Sequence, residues 1–317
     1  MTSRCAIIFP KKGGGSMNIN RHIIIDCDPG TDDALALYVA SLHIRESVLA
    51  VLSSYGNSTL TNTHANLLGL GGLLSLECEY LRGAAAPLGK DSFIPTDYHG
   101  ENGLCGIVLP PPTHIEEHTN GIARAAELLS TAGPITWIAL GPLTNLASLL
   151  NQHPDAIYNI EEIIIMGGGL AFGNVPSGAE YNFSLDPHAV DAVFACPVQK
   201  TLVPLDLTHT LAFSEAEVEQ ITGAAASELR WETLLPRDVF GEIFFRNLSS
   251  AQKNGHDGAI IHDAATLCYL LCPEACTARQ KRLTCDALGR IAESENGYPV
   301  NVVTTMKKSA MAMLLKE

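Results

Sequence analysis

The 317-residue chain has no apolar run that approaches the ~18 residues of a membrane-spanning helix. It also has no Lys/Arg-rich block and no Cys-x-x-Cys pair. Each lack removes a class of protein. The apolar core of "MTSRCAIIFPKKGGGSMN" is too short for a signal peptide, so neither a membrane span nor export is expected. A net charge of −14, spread along the chain, repels phosphate backbones and anionic lipid and makes nucleic acid and membranes poor partners. The nine cysteines are scattered and odd in number, a usage that suits a reducing cytoplasm better than a disulfide framework. Cys268, Cys272 and Cys276 recur every four residues. Pro273 interrupts the helix they would share and no His completes a zinc set, so they read as small apolar core residues.

With 46% hydrophobic residues, the chain can bury a large single core or two modest ones. "KKGGGS" has linker composition, and residues 1–17 read as a flexible extension without chemistry. Residues 18–317 then form one domain, since no repeat or linker divides them. Short apolar runs at 22–26, 48–54, 135–140, 162–166 and 200–206 read as strands buried on both faces. Helical patterns lie between them at 31–43, with Thr31 as N-cap, at 141–152 and at 186–195, the last two carrying Pro in the first turn. This alternation argues for an α/β fold, a mostly parallel central sheet with helices on both faces. The predominantly helical segment 214–272 is expected to cap one edge.

In such folds ligands gather beyond the carboxyl ends of the strands. "DCDPGTDD", residues 26–33, sits at the end of the first strand and puts Asp26, Asp28, Asp32 and Asp33 within eight positions. "SSYGN", "ALGPLTN" and "MGGG" end later strands in glycine and polar residues. Asp32 and Asp33 alone would fit a helix N-terminus that favours negative charge. Asp26 and Asp28 lie at a strand end, where desolvation opposes ionisation, so a bound cation accounts for the set better. Oxygen donors without nearby His or Cys favour Ca²⁺ or Mg²⁺. An EF-hand is excluded, because Gly30 falls at position five of a loop begun at Asp26 and Leu37 stands where a bidentate Glu belongs. An Asp-x-Asp phosphatase would carry Thr or Val where the chain has Gly30.

"DCDPGTDDA" resembles the signature of the nucleoside hydrolases, the N-ribohydrolases that split ribonucleosides into ribose and free base. The resemblance continues through "YGNSTL" (55–60), "HGENGL" (99–104), "GPLTNLA" (141–147), "IIIMGGG" (163–169), "GNVPSGAEYNFSLDPHA" (173–189) and "HDAATL" (262–267), and is strongest to the subgroup with a C-terminal His-Asp pair. It implies a Rossmann-like nucleoside hydrolase fold and a Ca²⁺ held by Asp28, Asp33, the main-chain carbonyl of Leu140 and Asp263. It further implies that Asp28 takes a proton from water, which attacks C1′ as the ring passes through an oxocarbenium-like state. Sugar contacts would come from Asp32, Asn57, Asn174, Glu180 and Asn182. Glu180 and Asn182, two apart, would share one face of an extended segment.

His262 is implied as the general acid or leaving-group activator, its structural alternative being a cap on the helix that starts near 263. His99 is implied as a substrate contact on a Gly-rich loop that closes over the site. Upstream of His262, "FGEIFFRNLSSAQKNGHDGAIIHD" aligns poorly and holds no tyrosine, so no base-contacting residue is named from it and the choice of purine or pyrimidine stays open. Relatives are commonly homodimers or homotetramers, by analogy only. A nucleoside-binding protein without turnover is the rival reading. It would leave Asp28 and His262 without a task.

Overall fold

The computed structural model describes residues 21–90, 93, 98–110 and 117–316, so the extension expected at 1–17 lies outside the described residues. In chain order the elements are β1 (His22–Cys27), α1 (Thr31–His43), β2 (Val48–Ser53), α2 (Leu60–Leu74), β3 (Glu79–Arg82), β4 (Glu117–His118), α3 (Gly121–Ala132), β5 (Ile135–Ala139), α4 (Thr144–Gln152) and β6 (Ile160–Met166). They continue with α5 (Tyr181–Leu185), α6 (Pro187–Ala195), β7 (Gln199–Val203), α7 (Leu205–Thr208), α8 (Glu215–Thr222), α9 (Pro236–Lys253), α10 (Ala264–Leu271), β8 (Cys276–Cys285), β9 (Ile291–Glu293), β10 (Tyr298–Met306) and α11 (Lys308–Leu314). The strands form one ten-stranded sheet in the order β4-β3-β2-β1-β5-β6-β7-β10-β8-β9. All neighbours are parallel except β10 with β8 and β8 with β9.

Strand alternation divides the core. Ile23 and Ile25 of β1 face a cluster shared with α1, α9 and α10, in which Tyr38 stacks on Phe240 at 4.5 Å between centroids. Ile24 faces the other cluster, built with α3, α4 and α6. All three isoleucines are fully buried, each contributing roughly 1.5–3 kcal/mol. No helix among the described residues is long and apolar enough to cross a membrane.

The site follows from the sheet order. β1 lies between β2 and β5, so the chain leaves β1 to one side and returns on the other. The crevice opens at the carboxyl ends of strands at such a reversal, which is where Asp28 stands.

Three local expectations need correcting. Gly30, not Thr31, is the N-cap residue of α1, because the Asp33 carboxylate accepts the Gly30 amide at 3.0 Å and takes over the capping. A side chain at 30 would also meet Asn57 Nδ2 at 2.6 Å. Helix α4 starts at Thr144 rather than 141, leaving Gly141 and Pro142 in the turn. Glu180 and Asn182 are not on an extended segment: Glu180 is the N-cap of the short helix α5, and Asn182 lies in its first turn. At 186–195 the expectation holds, with Pro187 opening α6 and Asp186 accepting the Ala189 amide at 3.1 Å.

Candidate active site

Asp26 points with Ile24 toward the α4 face of β1, whereas the other three acids lie beyond the strand end. Its side chain faces α4, where Asn145 donates to Oδ1 at 2.7 Å, and burial pushes its carboxyl up to about 8. A protonated Asp26 is an internal tie between β1 and α4, so the cation expected for all four carboxylates concerns only those after the strand end. Asp28 is 1% exposed and flanked by two glycines. A Cβ at Gly56 would stand 2.0 Å from its Oδ2, and one at Gly141 would stand 2.4 Å from its Oδ1. Oδ2 accepts the Asn57 amide at 2.6 Å. Asp33 accepts from the Asp28 amide at 3.1 Å through Oδ1 and from the Asn57 side-chain amide at 2.9 Å through Oδ2.

Asp263, contributed by the turn before α10, joins them from far along the chain. Carboxylate oxygens of Asp32, Asp33 and Asp263 all lie within 4.8 Å of one another. Asp28 is outside that compact triple, and Asp32, expected as a sugar contact, is in it. Burial raises the pKa of every member: Asp32 and Asp33 go up to about 6, and Asp28 and Asp263 go well up. The neighbouring carboxylates push Asp28, Asp33 and Asp263 further in the same direction. So much buried like charge, with oxygen donors alone, fits a hard divalent cation.

A cavity of about 1190 Å³ opens above this floor, lined by Asp32, Asp263 and the carbonyl-bearing Leu140 among others. Asn57, Asn174, Glu180 and Asn182 line it too, whereas Asp28 and Asp33 are not among the lining side chains. Several of these groups already hold the protein together. Glu180 accepts from the amides of Gly168, Asn182 and Phe183 at 2.9–3.0 Å. Asn182 Nδ2 donates to the Leu140 carbonyl at 2.7 Å, leaving that oxygen one further lone pair.

Histidines make the opposite wall. His262 lines the cavity with Nδ1 set 2.8 Å from the Thr208 hydroxyl, and burial lowers its pKa to about 3, with His209, His99 and His256 adding to the drop. It is therefore a neutral imidazole, suited to give a hydrogen bond rather than to stand ready as an imidazolium. It does not cap α10, whose N-cap is Asp263. His99 is seated on α1: Nδ1 accepts the Thr31 amide at 3.3 Å, which places the ring proton on Nε2, 3.8 Å from Asp32 Oδ1. Burial lowers its pKa to about 4.

Among the described residues, those around His99 are tied to α9. Ser250 of α9 donates to the Tyr98 carbonyl at 2.7 Å, and Arg246 donates to that of Cys105. Sequence alone named neither Phe172 nor His209 and set the His256-Asp257 pair aside in favour of His262 and Asp263, yet Phe172, His209 and His256 all line the cavity. His209 follows α7, and the signal that could have found it is its position just beyond a strand end, next to Thr208. Cys268, Cys272 and Cys276 have free thiols at the far end of α10.

The family described as inosine-uridine preferring nucleoside hydrolase matches residues 23–312. The pyrimidine-specific ribonucleoside hydrolase RihA of Salmonella typhimurium is 34% identical over 296 residues, covering 92% of this chain and 93% of the relative. RihA of an Escherichia coli strain is 33% identical over the same span. Among solved structures, a plant nucleoside hydrolase, PpNRh1, superposes with a TM-score of 0.82 at 24% identity, over 94% of this chain and 98% of that one. A purine-preferring ribonucleoside hydrolase from Gardnerella vaginalis gives 0.80 at 22%, over 93% and 99%. The family match and the RihA relatives make this a ribonucleoside-cleaving enzyme, and the chain belongs to the inosine-uridine preferring nucleoside hydrolase family. The Asp-x-Asp phosphatase reading falls with that assignment.

Proposed function

We propose that the enzyme is calcium-dependent, that Asp28 activates the attacking water and that His262 assists departure of the base. The observation that carries the reading is the meeting of Asp32 and Asp33 with the sequence-distant Asp263 within 4.8 Å at the end of a histidine-walled cavity. Calcium would be held by Asp28, Asp33, the Leu140 carbonyl and Asp263, and when bound would polarise a water and the ribose hydroxyls. Asp28 Oδ2 is engaged by the Asn57 amide, so Oδ1 is the oxygen that takes the proton. Asp32, Asn57, Asn174, Glu180 and Asn182 bind the sugar hydroxyls, and the carboxylates among them favour the positive charge that develops on the ring.

With the Thr208 hydroxyl donating to Nδ1, His262 keeps its ring hydrogen on Nε2 and gives the departing base a hydrogen bond from there. His99 covers the sugar from a position seated on α1. Because the RihA relatives are named pyrimidine-specific, uridine and cytidine are the first substrates to try. The test is release of reducing sugar from inosine, adenosine, guanosine, uridine, cytidine and their 2′-deoxy forms, with and without chelator and with calcium restored. Full activity in chelator would end the calcium proposal, and binding without sugar release would favour the non-catalytic rival. A homodimer or homotetramer in the cytoplasm completes the reading, and sedimentation addresses the assembly.

A further inference from the structure

Ribose occupies only part of a cavity of about 1190 Å³, and the acid floor fixes which part. From Asp263 the lining runs outward through His262 to His209, whose ring centroid is 5.6 Å away, and then to His256, a further 5.2 Å on. Phe172 meets His209 edge-on at 4.9 Å and keeps 41% of its surface exposed. We propose that Phe172, His209 and His256 form the subsite for the departing base, Phe172 covering the ring and the two imidazoles bonding its polar edge. This rests on the ribonucleoside reading above and names the part of the site that reading left open.

Three observations favour this wall over the α9 side of the cavity. Three of the polar groups on the α9 side are already engaged: Arg246 pairs with Glu242 at 2.6 Å and bonds the Cys105 carbonyl, Ser250 bonds the Tyr98 carbonyl, and Asn254 bonds the Ser250 carbonyl at 2.9 Å, which leaves Ser249 and Lys253. Neither the His209 nor the His256 imidazole makes a hydrogen bond among the described residues, so a donor and an acceptor on each remain for a ligand. The Phe172 turn is also built, not loose. Asp206 accepts the amides of Leu170 and Ala171 at 2.7 and 2.8 Å, and a Cβ at Gly169 would lie 2.0 Å from the Phe172 carbonyl. The same Asp206 lies three residues before His209 in the chain, so one carboxylate ties the Phe172 turn to the segment that carries the imidazole. Burial and the nearby His256 lower the pKa of His209, which keeps it neutral and able both to give and to accept.

The test compares nucleoside and ribose binding in His209→Ala, His209→Asn and Phe172→Ala. Removing one hydrogen bond should raise the nucleoside KM about 3–10-fold, with partial recovery in His209→Asn. Removing the ring should raise it about 10-fold. Inhibition by ribose should stay within about twofold, because the sugar end is untouched. In the wild-type enzyme, free base should shift the imidazole proton signals of His209 and His256 in NMR spectra, and ribose should not. Unchanged KM in every variant, ribose inhibition that weakens in step with KM, or signals that ignore the base would each overturn the proposal. If wild-type enzyme releases no sugar from any ribonucleoside, the enzyme reading itself has failed, an outcome the variants do not produce.

Discussion

The floor and the wall of the cavity are made by opposite strategies. The floor takes Asp28, Asp32 and Asp33 from one strand-to-helix turn and adds a single distant residue, Asp263. The wall collects His99, His209, His256 and His262 from separate loops and turns. Backbone amides fix the floor: those of Asp28 and Gly30 bind Asp33, and that of Asn57 binds Asp28. Ring contacts and the hydroxyls of Thr31 and Thr208 shape the wall. Burial also acts with opposite results. It raises the pKa of acids that a cation would return to their charged form, and it lowers that of His99, His209 and His262, which stay neutral. A reaction that develops positive charge on a sugar and loses a poor leaving group uses both: charge below and uncharged donors above.

The sharpest break in this contrast is at Asp28. Asp28→Ala should cut sugar release about 10³-fold or more, and turnover within tenfold of wild type would remove it as the base. Chelation should abolish turnover and lower the melting temperature, with calcium restoring both. The sign with pH follows from the acids. In chelated protein the folded Asp32 and Asp33 hold protons up to about pH 6 that the unfolded chain releases near 3.8. The share of stability that these two acids contribute should therefore fall as pH rises through that window, against the rise that His99 and His262 contribute as pH climbs toward 6.5, and calcium should remove the acids' share. Asp26, at about 8 and turned to Asn145, should keep a shallower decline toward pH 8 even with calcium. Melting curves across pH 4–8 that ignore calcium would contradict the floor as a cation site.

On the wall, His262→Ala should slow natural nucleosides about 10²-fold. It should slow p-nitrophenyl riboside, whose leaving group needs no proton, less than about threefold; equal losses would take His262 out of leaving-group activation. The smallest effect is expected at Thr208→Val, which keeps the shape but frees His262 Nδ1. A loss of about 3–10-fold on natural nucleosides, with ribose inhibition unchanged, would mark Thr208 as a positioning residue. No change would mean that the ring is held by packing alone.

The same contrast explains what could be read without coordinates. The isoleucine run, the carboxylate turn and the glycines beside it are contiguous, and their spacing carries their physics. That is why β1, α1 and the address of the acids were legible. Asp26 was misjudged because its place depends on which face of β1 packs on α4, a tertiary fact. Glu180 and Asn182 lie two apart in either a strand or a helix start, and only the Glu180 carboxylate reaching the amides of Asn182 and Phe183 decides between them. The three-stranded antiparallel end was missed because β8, "CTARQKRLTC", has a single buried position and lacks an apolar alternation. His209 was passed over and His256 set aside for the reason that sets the wall apart: 47 positions of chain separate rings whose centroids lie 5.2 Å apart.

One carboxylate binds the turn of Phe172 to the segment of His209, so these two pieces behave as a single cassette. Trading the 168–173 turn alone for that of a relative would strand Asp206 without its amides. Any attempt to graft a new base preference onto this scaffold must move both stretches together, anchor included.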